Sequence, residues 1–405
     1  MLSLAEAIQR LLATAEPVPE LETLPTAQAL GRVLAADVAS MLDVPPADNT
    51  AMDGYALRAS DAGAELLVSQ RVPAGHWPSA LQVGTAARVF TGATMPLGAD
   101  AVVMQEQCSS RQDASGQTWV QLPADIVRGQ HVRRRGEDIQ AGSGLLAAGT
   151  RLNAAALGLA ASVGLAHLTV RRRLRVALFS TGDELVMPGE RLPPGAIYNS
   201  NRFTLRALLE GLGAEVQDLG LVPDRLDATT AALEQAAAQA DVIVTSGGVS
   251  VGEEDHIKPA VQHLGRLDLW QVAIKPGKPF AHGAVRRADG TEASFIGLPG
   301  NPVSSFITFL LLARPLLLRR MGVSDASPQR LRLPAAFSWA KPDPKREEFL
   351  RVRLQQDGSL ALYPNQGSGV LSSLAFADGL VALMPAQKVQ AGDLLDYLPL
   401  SSLTC

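Results

Sequence analysis

The sequence predicts a multidomain α/β protein, and three observations lead to that reading. Its 405 residues exceed one ordinary core, since a domain takes about 100–200 residues. From Leu174 the text alternates strand, glycine turn and helix, the pattern of a parallel sheet with crossover helices. Residues 41–138 and the stretch from about Gln329 onward read instead as short β-prone runs broken by turns. A composition of 47% hydrophobic and 19% charged residues is that of a folded chain.

The elements follow in order. MLSLAEAIQRLL places apolar residues at helical spacing and carries Glu6 where a signal peptide would be basic, so it reads as an amphipathic helix. Residues 16–39 hold a second helical pattern, TAQALGRVLAADV, before the β-rich insert of residues 41–138. Residues 139–172 add a hairpin-like stretch and the helix LNAAALGLAASVG, whose alanines and leucines suit packing on the earlier connector. Residues 15–40 and 139–172 are therefore expected to form one elongated linker unit.

Residues 1–14 and 173–323 make up the α/β domain, with the strand–turn units RVALFS–TGDEL, DVIVTS–GGVSVG and SFIGLP–GNPVSS. The run FITFLLLARPLLL is interrupted by Arg314 and Pro315 and falls short of the ~20 residues a membrane span needs, so it reads as a buried helix. Residues 328–405 are expected to form a small β-barrel or sandwich.

A formal charge of -4 gives no field that would draw nucleic acid or an anionic membrane. Cys108 and Cys405 stand in no metal-ligand spacing, nor do the six histidines, which fits a reducing, cytoplasmic setting.

In an open α/β sheet the loops leaving the carboxyl ends of the strands share one edge, and ligands bind there. That places Ser180–Glu184, Thr245–Asp255 and Leu298–Ser304 together. Small residues in each, including Ser246, Gly247 and Gly248, let backbone amides approach an anion, and a following helix favours negative charge. One such loop is weak evidence, because a tight turn needs the same residues; three on one edge point to an oxyanion or phosphate. Asp183, Glu184, Asp224 and Asp255 fall on the same edge. Acids beside an anion make sense if magnesium bridges them, whereas Glu253 and Glu254 serve equally well as solvated helix-terminal acids. In AIKPGKPFAHG a Pro-Gly turn separates Lys275 from Lys278, so both can reach one point. Arg133, Arg134, Arg135 and Arg346 offer guanidinium forks.

Taken together, PPADNTAMDGYALR, VFTGATMPLGADAVVMQE, VRRRGEDI, FSTGDEL, TSGGVSVGEEDHIK, AIKPGKPFAHG, GLPGNPVSS, KREEFLRVRL and QGSGVLSSL resemble the molybdopterin molybdenumtransferases, that is, the MoeA proteins and the E domain of gephyrin. The resemblance runs through essentially the whole chain. It implies a three-layer α/β molybdopterin-binding domain, a β-rich insert, an elongated linker and a C-terminal β-barrel. It also implies a magnesium-dependent enzyme that inserts molybdenum from molybdate into adenylylated molybdopterin and releases AMP.

By the same resemblance Asp53, Asp138, Glu184, Asp255 and Thr91 are catalytic, and Glu184, Asp224 and Asp255 hold the metal. Lys275, Lys278, Arg346, Ser368, Ser246, Gly247, Gly248, Pro299 and Pro302 bind substrate. The expected assembly is a homodimer sharing each site between subunits, with molybdopterin-synthesis enzymes as further partners. Molybdopterin adenylyltransferase and a gephyrin-like scaffold are the rival readings. The first needs only the α/β domain, and no long linker or extra domain supports the second.

Overall fold

The computed structural model describes residues 1–248 and 256–404. The first helix, Leu4–Ala13, starts with a capping box in which Ser3 accepts from the Glu6 amide and Glu6 accepts from the Ser3 amide. Its Leu4, Ala7 and Leu11 enter the main core.

The central sheet has six strands in the order Glu215–Val222, Arg175–Thr181, Val242–Ser246, Glu292–Leu298, Pro279–Arg286, Gly265–Gln271. The first four are parallel, as expected, but Pro279–Arg286 runs antiparallel to them, and Gly265–Gln271 pairs antiparallel with it. The reversal follows from Asp289-Gly290, a hairpin turn signal with Gly290 at φ 84, which joins Pro279–Arg286 directly to Glu292–Leu298 without a crossover. Strand residues alternate between two cores. Val176, Leu178, Val244 and Ile296 meet helices Ser200–Gly211 and Pro302–Arg320, while Ala177, Phe179, Ile243 and Phe295 meet Leu226–Gln239 and Ile257–Leu264. That makes three layers.

The apolar run lies within helix Pro302–Arg320 and is buried from Ile307 to Leu318. A π turn at Phe309–Ala313 precedes Pro315, where the missing N–H breaks the regular ladder. Buried Arg314 donates to the carbonyls of Ala326 and Ser402, both at 3.0 Å.

TAQALGRVLAADV is not a helix. Only a 3-10 turn forms at Thr26–Gln28, Gly31 takes the left-handed region at φ 73, and Val38–Ala39 pairs with Gly144–Leu146. The glycine stops the helix and the valines take strand pairing instead. Leu21–Pro25 likewise pairs with His167–Arg171, so the two connectors interlock, with helix Ala154–Ser162 packed on Ala29 and Leu34. Beyond them lies a six-stranded sheet, Ala101–Met104, Gly54–Leu57, Thr85–Val89, Glu65–Val72, Thr118–Gln121, Ser109–Gln112, joined to the connectors at the Val44–Ile139 bridge.

At the C-terminal end the strand order is Ile274–Lys275, Glu347–Leu354, Gly379–Leu383, Leu394–Pro399, Leu331–Pro334, with Leu360–Leu362 also on Glu347–Leu354. A bridge from Ala335 to Leu360 closes the circuit into a barrel. The strand Ile274–Lys275 comes from the α/β part and sets Lys275 opposite Glu348. Phe349, Leu380 and Leu398 join the core of helix Pro302–Arg320, which ties the barrel to the edge loops.

Candidate active site

Parallel register brings Ser180, Ser246 and Leu298 level at the carboxyl ends of three adjacent strands. Behind them the chain is pressed too close for side chains. A Cβ on Gly247 would strike the Thr181 carbonyl, and one on Gly248 would lie 2.6 Å from Ile257. Asn201, in the first turn of Ser200–Gly211, clamps two loops by donating to Ser246 Oγ at 2.8 Å and to the Gly300 carbonyl at 2.7 Å. The resulting cleft, ≈ 380 Å³, is lined among others by Glu184, Asn201, Ser246, Gly247, Pro302 and Gly369. The buried hydroxyls of Ser180, Thr181 and Thr245, at the ends of these strands, have no hydrogen-bond partner among the described residues.

The start of helix Pro302–Arg320 collects the remaining segments. The Val303 amide donates to the Ser368 carbonyl at 3.0 Å, so Ser368 meets the helix through its backbone. Gly277, at φ 113, lies so close that a Cβ would sit 2.6 Å from Thr308 Oγ1, which seats the lysine turn on the same helix. Pro299 is buried at the strand end and Pro302 begins the helix, its fixed φ suited to that position.

The cations are arranged differently from expectation. Lys275 Nζ pairs with Glu348 Oε1 at 2.9 Å, whereas Lys278 is exposed with no side-chain partner among the described residues. Arg346 grips Asp343 Oδ2 through Nε at 3.0 Å and Nη2 at 2.6 Å. Burial would push the Asp343 carboxyl up, but the Arg346 guanidinium and the amides of Lys345 and Arg346 outweigh it and hold it at about 2. Two of the three cations are thus already paired with carboxylates. Arg134 and Arg135 pair with Asp48 and Asp43 within the N-terminal part, Arg134 Nη1 at 2.7 Å from Asp48 Oδ2 and Arg135 Nε at 2.5 Å from Asp43 Oδ2.

Among the acids, Asp183 Oδ1 accepts the Asp224 amide at 3.2 Å, which brings these two loops together, and Glu184 faces the cleft. The TGDEL loop does not lead straight into a helix: the short paired strands Leu185–Val186 and Ile197–Tyr198 intervene, and Asn199 then caps Ser200–Gly211. Asp255, with Glu253 and Glu254, lies outside the described residues. Among the described residues no three His, Cys, Asp or Glu side chains form a metal-holding group. Glu184 and Asp224 supply oxygen donors only, the kind magnesium takes.

Asp53 and Thr91 come together in the N-terminal six-stranded sheet region. Asp53 Oδ1 accepts from the Thr91 amide at 2.7 Å and the Thr91 hydroxyl at 2.8 Å, which, with the Arg88 charge, holds the carboxyl below its ordinary range. Arg88 donates to the carbonyls of Gly54 and Val89, both at 2.8 Å, fixing the chain on either side of the pair. Asp138 is exposed, its amide bonded to the Val44 carbonyl at 3.0 Å.

Four residues of this arrangement escape sequence reasoning: Asn201, Asp343, Glu348 and Arg351. Asn201 stands in YNSN, a helix-start signal that marks the cap but not the clamp. Arg351 is fully buried and donates to Ser373 Oγ and the Gly367 carbonyl, both at 3.1 Å, so it holds the loop around Ser368; burial pushes its pKa down to about 10. A charge at an inward position of FLRVRL was the available signal.

Comparison with known proteins matches residues 2–164 to the MoeA N-terminal region (domain I and II), 177–319 to a probable molybdopterin binding domain, and 332–400 to the MoeA C-terminal region (domain IV). The molybdopterin molybdenumtransferase of Haemophilus influenzae is 43% identical over 329 residues, covering 80% of this chain and 78% of its own. Molybdopterin molybdenumtransferase 2 of Mycobacterium tuberculosis is 39% identical, covering 89% and 90%. A solved molybdopterin biosynthesis MoeA protein from Pyrococcus horikoshii OT3 superposes with a TM-score of 0.84 at 27% identity, covering 98% of this chain and 100% of that one. With all three regions matched in order from residue 2 to residue 400, the chain belongs to the molybdopterin molybdenumtransferase (MoeA) family.

Proposed function

We propose that this chain transfers molybdenum from molybdate to adenylylated molybdopterin and releases AMP. The observation that carries the reading is the start of helix Pro302–Arg320, where the strand-end loops and the Ser368 loop meet around one cleft and on which, at Thr308, the lysine turn is seated. A pterin and an adenylyl phosphate need more surface than a lone glycine turn provides. A tetrahedral dianion needs several donors at one place.

In this reading Ser246, Gly247, Gly248, Pro299 and Pro302 shape the pterin and phosphate cleft. Lys275, Lys278 and Arg346 hold molybdate through charge-assisted hydrogen bonds. Glu184 and Asp224, with Asp255, would hold magnesium, which when bound neutralises phosphate charge. A molybdate oxygen attacks the adenylyl phosphorus, the phosphoanhydride bond breaks and the pterin phosphate leaves, giving an adenylyl molybdate; as the two pterin thiols bind molybdenum, its bond to that oxygen breaks, AMP departs carrying the oxygen, and the two thiol protons leave with one oxo oxygen as water. Positioning and charge suffice for such a step, so no general base is assigned.

Asp53, Thr91 and Asp138 complete the site from a second copy of the chain. This is supported by the partners of Asp53, which among the described residues belong to the N-terminal part. The chain acts in the cytoplasm alongside the enzymes that make the pterin.

The test is AMP release from adenylylated molybdopterin, with molybdate and magnesium varied independently. Release that depends on both is expected. Pyrophosphate release from ATP and molybdopterin would instead indicate the adenylyltransferase reaction, and inertness in both assays a scaffold.

A further inference from the structure

Resting on the molybdate reading above, we propose that Glu348 is a positioning residue that aims Lys275, and through the Asp343 segment Arg346, at the oxyanion. Glu348 is 3% exposed and lies opposite Lys275 where the strand Ile274–Lys275 pairs with Glu347–Leu354. One carboxylate oxygen takes Lys275 Nζ at 2.9 Å. The other accepts Trp339 Nε1 at 3.1 Å and the Asp343 amide at 3.2 Å. Asp343 in turn accepts the amides of Lys345 and Arg346, at 3.0 and 2.9 Å, and the Arg346 guanidinium.

A single buried carboxylate therefore sets both the side chain of Lys275 and the backbone that carries Asp343 and Arg346, although the two cations stand far apart in sequence. Removing it would free a flexible ammonium, whose rotational freedom is then lost on meeting the anion. It would also leave the indole N–H and the Asp343 amide short of an acceptor. The side chain of Lys275 is 39% exposed, so the ammonium keeps access to a ligand while anchored. Lys278, three residues on, has no such anchor among the described residues.

A carboxylate beside a cation has two opposed effects on a dianion. It orients the lysine, which favours binding, and it cancels positive charge, which opposes binding. The sign of one substitution separates them. In the full-length protein, Glu348→Gln is expected to raise the half-saturating molybdate concentration about tenfold while kcat and the pterin KM stay within about twofold. Lys275→Met is expected to raise it at least as much, and the double variant to be no worse than Lys275→Met, because the two residues act through one contact. An unchanged or lowered half-saturation in Glu348→Gln, or additive losses in the double variant, would overturn the proposal. Should Glu348→Gln fail to fold, Trp339→Phe, which removes one donor to the same carboxylate, is expected to move molybdate half-saturation the same way by about threefold; no movement would overturn it.

Amine-directed labelling read by mass spectrometry tests the anchor independently of the substrate. Lys275 is expected to react several-fold more slowly than Lys278 in the wild type, with the gap lost in Glu348→Gln. Equal reaction in the wild type would overturn the anchor. AMP release that ignores molybdate, with the labelling gap intact, would instead reject the substrate reading.

Discussion

The cleft at the edge of the central sheet and the Asp53–Thr91 pair are built in opposite ways. The cleft is assembled from segments spread between Thr181 and Leu371, held by polar contacts such as Asn201 on Ser246 and Gly300. The Asp53–Thr91 pair is local to the N-terminal sheet region, partly open to solvent, and held by hydrogen bonds within that region. The first is a preformed receptor whose integrity depends on the fold. In the proposed reading the second is a charged group on the surface of the N-terminal sheet region to which the substrate is brought. Substitutions should therefore damage stability and activity together in the first region and activity alone in the second.

The largest effect is expected from Asp53→Ala. It should lower AMP release about a hundredfold or more, as loss of a preorganised charged group does, while the unfolding midpoint in urea stays close to wild type. A matching fall in stability would break the contrast.

Asn201→Ala should do the reverse, destabilising the fold by about 2–3 kcal/mol, because it leaves a buried hydroxyl and the Gly300 carbonyl without their donor. Activity is expected to fall with it, and chemical denaturation beside the AMP assay checks both. Thr91→Val keeps the amide bond to Asp53 but removes the hydroxyl. It is expected to cost about tenfold in rate, an intermediate loss that sharpens the comparison.

The parallel register explains what was legible in the sequence. Once RVALFS, DVIVTS and SFIGLP are strands of one sheet, their following loops must share an edge, and Glu184, Ser246, Gly247 and Pro302 duly line one cleft. The burial of FITFLLLARPLLL was legible for a similar reason, since length and composition bound it. What stayed hidden was pairing between remote segments. Nothing local in AIKPGKPF announces that Lys275 will meet Glu348, because that contact depends on a strand from one region joining a barrel in another. TAQALGRVLAADV misled because helical spacing of alanine and leucine outweighed Gly31 in the reading, whereas in the chain the glycine and the cross-pairing valines prevailed.

The smallest effect on activity concerns acid. His282 is buried in the strand Pro279–Arg286, and burial lowers its pKa to about 4, against about 6.5 when unfolded. A depressed histidine pKa means that the unfolded chain takes up the proton first. Its destabilising contribution therefore begins as pH falls below about 6.5 and is complete below about 4. His282→Leu should flatten that part of the stability profile, measured by urea unfolding at several pH values, and leave AMP release at pH 7.5 unchanged.

The contrast between the two regions is tested most directly by mixing them. Asp53→Ala disables the surface pair and Glu184→Ala disables the cleft, and each variant alone is expected to be inactive. If the chain pairs two-fold as proposed, unfolding the two together in equal amounts and refolding them by random pairing makes half the dimers mixed. If each site takes Asp53 from one copy and Glu184 from the other, one site in every mixed dimer carries both lesions and its twin carries none. About a quarter of wild-type AMP release should then return. A mixture that stays inactive would mean that every site keeps a lesion, and that Asp53 serves the cleft of its own chain.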